Sequence, residues 1–398
     1  MAEPDTSELT PAEENDYYKI AKQGKDTWNR WVREYLTSEQ IDDSGLSHLD
    51  NLTENEKAEL AAKLDVIDLP NPADAYFENL KFTDPVRFSG YVFIEVYFDK
   101  VVFESVVYFR DSVFLDAVGF GKCSFERSVN FLRAKFFAGV DFDECKFNRI
   151  FSFGDVYTSE VNFNDVVFNS SAFFWRADFQ GPADFTDSLF EEKAIFNSTK
   201  FSSLVSFSGV SFREAPEFHD ASLPQNTSFY GATFNLSKSD SLRLWNGRAR
   251  AWRTLKQKMH SFQSYQEELN FFARELDARA RSEANTIFVW MVACYSWLCG
   301  FGTLIRRPAY ILLAVWATSS FFYYLFMKSP SAISAASISF SNTIPFVGQS
   351  RLIADVALKS FSQDSYALVY AFSVGQGLLS AILLFLILLG IRNHFRLK

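Results

Sequence analysis

The sequence predicts a β-solenoid in the middle of the chain, a helical cap before it and a helical membrane domain after it. Three observations carry this prediction: phenylalanine recurs every five or six residues from Phe77 to Phe234, aromatic residues fall at helical spacings before Phe77, and two long uncharged apolar runs lie near the carboxyl end. Phenylalanine fills 28 of 30 successive slots. The steps alternate five and six from Phe109 through Phe114, Phe120, Phe125, Phe131, Phe136, Phe142 and Phe147 to Phe153, and again from Phe163 to Phe218, so the unit is eleven residues.

An eleven-residue period also marks helices in right-handed supercoils. That reading fails on angle, because a step of five turns a helix by about 500° and leaves successive phenylalanines about 140° apart. A flat strand fails as well, since five is odd and strand side chains alternate with period two. What fits is a solenoid that turns a corner within each unit, so that every Phe re-enters one interior. The residue two before each Phe is small or β-branched: Val107, Ser112, Val118, Cys123, Val129, Ala134, Val140, Cys145, then Ala172, Ala177, Ala183, Ala194, Thr199, Val205 and Val210. One large and one small inward residue per short face suits a narrow square tube. The remaining positions are polar or glycine and suit corners and a wet surface.

This pattern resembles the pentapeptide-repeat family, and the likeness covers roughly residues 72–235. The resemblance implies an all-β right-handed quadrilateral β-helix. Coils of 22 residues over 30 faces give about seven turns, and strand spacing makes the tube roughly 36 Å long. Cys123 and Cys145, 22 residues apart, are expected to stack as core thiols. The register slips at Thr158 and Leu223, which predicts a loop or bulge near Tyr157 to Glu160.

Residues 1–71 are expected to cap the first coil. Trp28, Trp31, Val32 and Tyr35 fall at helical spacings within residues 16–36, and Thr53 with Glu56 forms a capping box before a second helix ending near Leu64. A β-helix needs such a cap because its end coil exposes an unpaired strand edge. A partner site at Trp28 and Trp31 is the competing reading.

The formal charge of −9 is divided: residues 1–71 carry −10, residues 72–235 carry −9 and residues 236–398 carry +10. Four cysteines without a spacing framework and a polar, acidic start predict a reducing compartment for the amino-terminal part. The last segment holds the apolar runs, Ala309 to Met327 and Ala367 to Ile391, of 19 and 25 residues. At helical rise these span about 28 and 37 Å against a hydrocarbon core of about 30 Å, and they are read as transmembrane helices (309–327 and 367–391). A third uncharged run, Ala284 to Ile305, is read as an interfacial helix within residues 284–308. Two spans put the bases from Arg243 to Arg281, the pair Arg306 and Arg307, and the tail at 392–398 on one side, whereas three do not. Trp290, Trp297, Arg306 and Arg307 are the expected membrane-surface anchors. This charge placement predicts lipid as a partner and both termini cytoplasmic.

Residues 236–283 read as an amphipathic helical stem. Trp252, Leu255, Met259, Phe262, Leu269, Ala273 and Leu276 follow steps of three and four, interrupted at Gln266. The seam serves either packing onto the last coil or contact between subunits. Residues 328–366 join the spans, with Ser331 to Asn342 as an apolar, Ser-rich helix before a proline turn. Span, half helix, turn and span is the layout of two-span channels. It nominates Asn342, Thr343, Ile344, Pro345, Phe346, Val347 and Gly348 as a pore constriction, without the backbone cage of a potassium filter. A loop helix resting on the membrane is the alternative. Gly375 and Gly377 suit either packing or a gate. FFARELDARAR, RRP and SFSNTIPF together resemble the C-terminal module of membrane-associated bacterial pentapeptide-repeat proteins, some of which carry a two-span channel-like domain. That resemblance implies the plasma membrane of a bacterium as the location.

No catalytic or metal-binding pattern is legible: His48, His219, His260 and His394 are scattered, and no phosphate-cradling glycine loop occurs. No enzyme activity and no cofactor are expected. The sequence reading is an oligomeric membrane protein, with an ion channel as its sharpest form and the β-helix as a sensor or docking surface for an unidentified protein or ligand. A membrane-tethered scaffold is the alternative. A gyrase-binding DNA mimic fits less well, because duplex DNA would carry about 21 charges over the same length.

Overall fold

The computed structural model describes residues 9–65, 69–236, 241–283, 285–344, 361 and 365–396. The chain divides into two compact units, Met1–Lys258 and Met259–Lys398.

The first unit is a parallel β-solenoid of about seven turns with helices at its amino end. Its four faces are ladders of two- and three-residue strands paired in parallel. One ladder runs from Leu80–Phe82 to Thr233–Phe234, one from Val86–Arg87 to Ala194–Ile195, and the other two are joined by the longer strands Lys135–Asp141 and Tyr157–Asn162. Phe109 stacks on Phe131 at 4.9 Å and Phe120 on Phe142 at 5.0 Å, with rings within 9° of parallel. These separations match the strand spacing, so each ring keeps its neighbour at van der Waals distance while the backbone keeps its hydrogen bonds.

The small positions are buried throughout, and the polar ones are satisfied by the preceding coil. Ser112 donates to the Phe88 carbonyl, Ser188 to Phe163 and Thr199 to Phe174. Cys123 and Cys145 are buried free thiols directed at the Phe98 and Phe120 carbonyls, and burial pushes the Cys145 thiol well above its ordinary value.

The alternation of five and six has a backbone cause. The residue two after every second Phe is left-handed, as at Asn79, Lys100, Asp111, Lys122, Arg133 and Glu144. These corners fall in the five-residue steps, so two kinds of corner alternate and the true unit is eleven. Left-handed backbone costs an L-residue roughly 1–2 kcal/mol, yet Lys, Arg and Glu hold the position.

The register slip is a bulge. Phe136 pairs with Thr158 but Gly139 pairs with Glu160, so the strand Lys135–Asp141 carries the extra residue. The sequence places the irregularity at Tyr157 to Glu160, which is the shorter strand opposite.

Before the solenoid, helices α1 (Asp16–Ala21), α2 (Lys25–Arg33), α3 (Ser38–Ser44) and α4 (Glu54–Leu64) build the cap. The continuous helical spacing of residues 16–36 is broken at Gly24, whose φ of 108° an L-residue rarely adopts. Trp28 and Trp31 are buried, and the Trp28 indole donates to the Val92 carbonyl at 2.7 Å. Tyr18 packs edge-on against Phe82 at 4.8 Å. Tyr35, grouped with the tryptophans by spacing, instead follows α2 and is exposed. The capping box forms, and the Thr53 backbone and the Arg30 guanidinium hold the Glu56 carboxyl down at about 2. An element not foreseen is the strand Thr10–Pro11, which pairs with Leu80–Lys81 and covers the open edge of one ladder. That edge would otherwise template association with another chain.

At the other end, helix α5 (Leu242–Ser261) lies against the last coil. Trp252 meets Phe234 edge-on at 5.1 Å, Leu255 is fully buried, and a nearly inaccessible Arg248 pairs with Glu214 at 2.6 Å.

In the second unit α6 is Tyr265–Ser282, so the expected single stem is two helices. The break falls at Phe262 to Ser264, where Gln263 has φ of 60°, and not at Gln266. The buried residues of α6 are Phe271, Glu275, Ala278 and Ala280, a stripe displaced from Leu269 and Leu276. Then follow α7 (Thr286–Cys299), α8 (Arg306–Phe326), α9 (Ala332–Thr343) and α10 (Tyr366–Arg396). Arg306–Phe326 and Tyr366–Phe395 are long and apolar enough to cross a membrane. α7, with 14 residues, covers only about 21 Å.

Candidate functional site

The site is built where α8, α9 and α10 meet. Each contributes polar side chains to a region otherwise lined by Tyr323, Met327, Ala335, Ile338, Phe361 and Val369. α9 forms because Ser331 caps it, accepting from the Ser334 N–H, and because Ala, Ile and Ser follow without a breaker. Its first two turns pack near the end of α8, through Ala335 and Ile338. Its second half reaches back along α8. The Ser339 hydroxyl donates to the Trp316 carbonyl at 2.8 Å, and the Trp316 indole donates to the Ala336 carbonyl at 3.4 Å. Trp316 lies ten residues before the end of α8, about 15 Å along the helix. α9 therefore runs back to the middle of α8 and meets α10 at Gln376, ten residues into that helix.

Gln376 of α10 is the hub. Its amide oxygen accepts from the Tyr323 hydroxyl at 2.9 Å. Its amide nitrogen lies 2.9 Å from the Ser339 carbonyl, 3.0 Å from the Ser339 hydroxyl and 3.2 Å from the Thr343 hydroxyl. Asn342 donates to the Tyr323 oxygen at 3.1 Å. Gln376 is only 5% exposed and Tyr323 and Ser339 not at all, so these three rely on protein partners for their hydrogen bonds. One turn on, the buried Ser380 hydroxyl has no hydrogen-bond partner among the described residues. A buried hydroxyl in that position calls for water or another polar group.

Sequence reasoning nominated Asn342 to Gly348 as a constriction. Asn342 and Thr343 belong to α9 and to this network, and Ile344 follows as its C-terminal cap. Pro345, Phe346, Val347 and Gly348 lie outside the described residues. Gly375 and Gly377 flank Gln376 in a helix that runs through both. A Cβ on Gly377 would come within 3.9 Å of the Asn342 carbonyl, whereas one on Gly375 would meet nothing within 4 Å. A methyl group would therefore fit at either position among the described residues.

Arg306 and Arg307 open α8, and Trp290 and Trp297 project from α7 with about two thirds of their surface exposed. Of the nominated oligomer seam, Trp252, Leu255 and Met259 are already fully buried, while Phe262, Leu269 and Leu276 are half-buried. The residues missed were Gln376, Ser339 and Tyr323. A signal existed for the first: it is the only carboxamide in the run from Ala367 to Ile391, and intramembrane polar side chains are rare enough to mark function.

On the solenoid, bases pair with acids of the adjacent coil. Arg133 meets Asp111 and Arg176 meets Asp155, each at 2.6 Å, and Lys200 meets Asp178 at 3.3 Å. The acidic surface is thereby partly neutralised in register with the coils.

Residues 98–146 match the family described as pentapeptide repeats, in 9 copies. No curated protein and no solved structure matches the chain. The same stacking extends on both sides of the matched segment, from Phe77 to Phe234.

Proposed function

We propose that this chain, whose solenoid is built of pentapeptide repeats, is an oligomeric integral membrane protein that conducts ions, with the solenoid as a cytoplasmic sensor or docking domain. It performs no catalysis in this reading. The observation that supports it is α9, which runs back alongside two helices long enough to span a bilayer and sets its own Ser339 and Thr343 against Gln376, ten residues into the second of them. Non-helical chain and polar groups at such depth persist where they face protein or water, and Ser380 is a hydroxyl there in need of a partner. Two spans per chain cannot enclose a path alone, so conduction requires several copies. The positive charge of residues 236–398 favours both termini on the cytoplasmic side of a bacterial plasma membrane.

The test is current through planar bilayers containing the purified protein, alongside its mass in mild detergent. The expected result is an oligomer with a conductance that Gln376→Leu alters by about tenfold or more, as removal of a hydrogen-bonding group from a narrow polar passage does. A monomer overturns the channel reading. An oligomer that stays silent across voltages, in the wild type and in Gly377→Ala, favours a membrane-tethered scaffold. One observation supports that second reading: the Gln376 amide already has partners for both its oxygen and its nitrogen within the chain.

A further inference from the structure

The last coils of the solenoid and helix α5 border a cavity of about 740 Å³ within the first unit. Its volume falls in the range of small-molecule sites, about 300–1,000 Å³. The coil side supplies Lys193, Glu214 and Glu217, and the helix supplies Arg243, Gly247, Arg248 and Arg250. Both lining carboxylates are engaged. Glu214 takes the Arg248 guanidinium through contacts of 2.6 and 3.0 Å, and Glu217 receives Asn197 at 3.1 Å and lies 3.7 Å from Lys193. Arg248 is further fixed over the Trp245 ring at 4.4 Å, so this wall is rigid. Four cations thus face two carboxylates among the described lining residues, and the excess is carried by the exposed Arg243 and Arg250.

Their placement is periodic. Arg243, Gly247 and Arg250 stand at i, i+4 and i+7 on one stripe of α5, with the arginines about 10 Å apart along the axis. Gly247 needs its own explanation. It lies inside a helix, where glycine costs about 1 kcal/mol relative to alanine, its φ is ordinary, and a Cβ there would meet nothing within 4 Å. Neither backbone conformation nor packing among the described residues requires it. Its effect is to keep the floor between two arginines clear for something that approaches closely.

We propose that this cavity binds a phosphorylated small molecule of nucleotide size. Arg243 and Arg250 grip its phosphate oxygens through paired N–H donors, Lys193 adds a further positive charge, and the ligand lies across Gly247. Guanidinium geometry matches phosphate, which is why arginine and not lysine occupies the stripe. The same chemistry would suit the phosphate of a lipid headgroup.

Equilibrium dialysis of the full-length protein, held in zwitterionic phosphatidylcholine nanodiscs, against labelled pyrophosphate and ATP tests the assignment. The expected result is saturable uptake of one equivalent. It weakens roughly tenfold or more when Arg243 and Arg250 are both replaced by Gln, as the loss of two charge-assisted contacts implies. Gly247→Leu fills the cavity while raising helix propensity, so it should abolish uptake with an unchanged or higher melting temperature. Repeating the measurement in phosphatidylglycerol nanodiscs separates the sources: loss of uptake there assigns the phosphate to lipid, and unchanged uptake assigns it to a soluble ligand. Failure of the wild type to take up either probe at low ionic strength, or equal uptake by both variants, overturns the proposal.

Discussion

The solenoid and the carboxyl-terminal helices both bury large side chains, but they distribute their dependence differently. The solenoid interior is a column of phenylalanines in which each ring has like neighbours above and below, as Phe142 has Phe120 and Phe163 at 5.0 and 4.9 Å. Between α8, α9 and α10 a single carboxamide serves three helices, with Tyr323, Ser339 and Thr343 each bonded to Gln376. The difference teaches where function can reside. A repeated apolar contact can fail only in degree, whereas a unique polar hub can be present, absent or rearranged, and only the second kind of site can gate or select.

The sharpest way to break this comparison is to insert polarity into the column. Phe142→Asp buries an unpaired carboxylate among rings, at a cost of several kcal/mol, and should abolish the cooperative β-type circular dichroism melt of the rod. Survival of that melt would show that Phe142 does not face inward. Phe142→Ala should be milder, about 3–5 kcal/mol, and a loss well below that would mean that neighbouring coils close over the gap.

Gln376→Ala leaves Tyr323, Ser339 and Thr343 short of a buried partner, for roughly 1–3 kcal/mol. Its thermal stability in detergent should fall while the rod's melt is unchanged. A loss spread over both regions would contradict their independence as polar hub and apolar column. At the cap, Trp28→Phe keeps the ring packing and removes only the bond to the Val92 carbonyl, so it should cost about 1–3 kcal/mol by denaturant titration.

The smallest effect is a pH dependence. Glu56 titrates near 2 in the folded cap, below its ordinary value, because of the Thr53 backbone and the Arg30 guanidinium. A depressed carboxyl contributes stability that is present above its unfolded pKa of about 4.5 and is lost as pH falls through the folded value near 2. Glu56→Gln should flatten the acid limb of the cap's unfolding curve in that window and leave neutral pH nearly unaffected. An unchanged acid limb would assign the dependence to other carboxylates. The Glu56 side chain is partly exposed to solvent, so screening keeps the effect small.

Much of the solenoid was legible because its signal repeats. A slot filled at Phe109, Phe114 and Phe120 needs only a period to be read, and burial of Val107, Ser112 and Val118 follows from the same count. The left-handed corners were legible only in part: Asn79, Asp111, Asp155 and Gly209 suit positive φ, but Lys100, Lys122 and Arg133 are poor markers for it, and coil closure imposes the conformation on them. Nor was the strand Thr10–Pro11, which pairs across nearly seventy residues of chain and has no periodicity of its own. In the helical unit, hydropathy located α8 and α10, but the partners of Gln376 come from two other helices, α8 and α9.

By itself, then, the sequence determined which residues face inward along the rod, how many turns it makes and which two helices are apolar enough for a bilayer, because each follows from local periodicity or composition. The tertiary structure alone decided that Gln376 would meet Ser339 and Thr343, that Lys193 and Glu217 would face Arg243 and Arg250 across one cavity, and that Thr10 would close a ladder edge. Those are contacts between segments distant in sequence, and hydrogen-bond geometry and close packing select them only once the chain has folded.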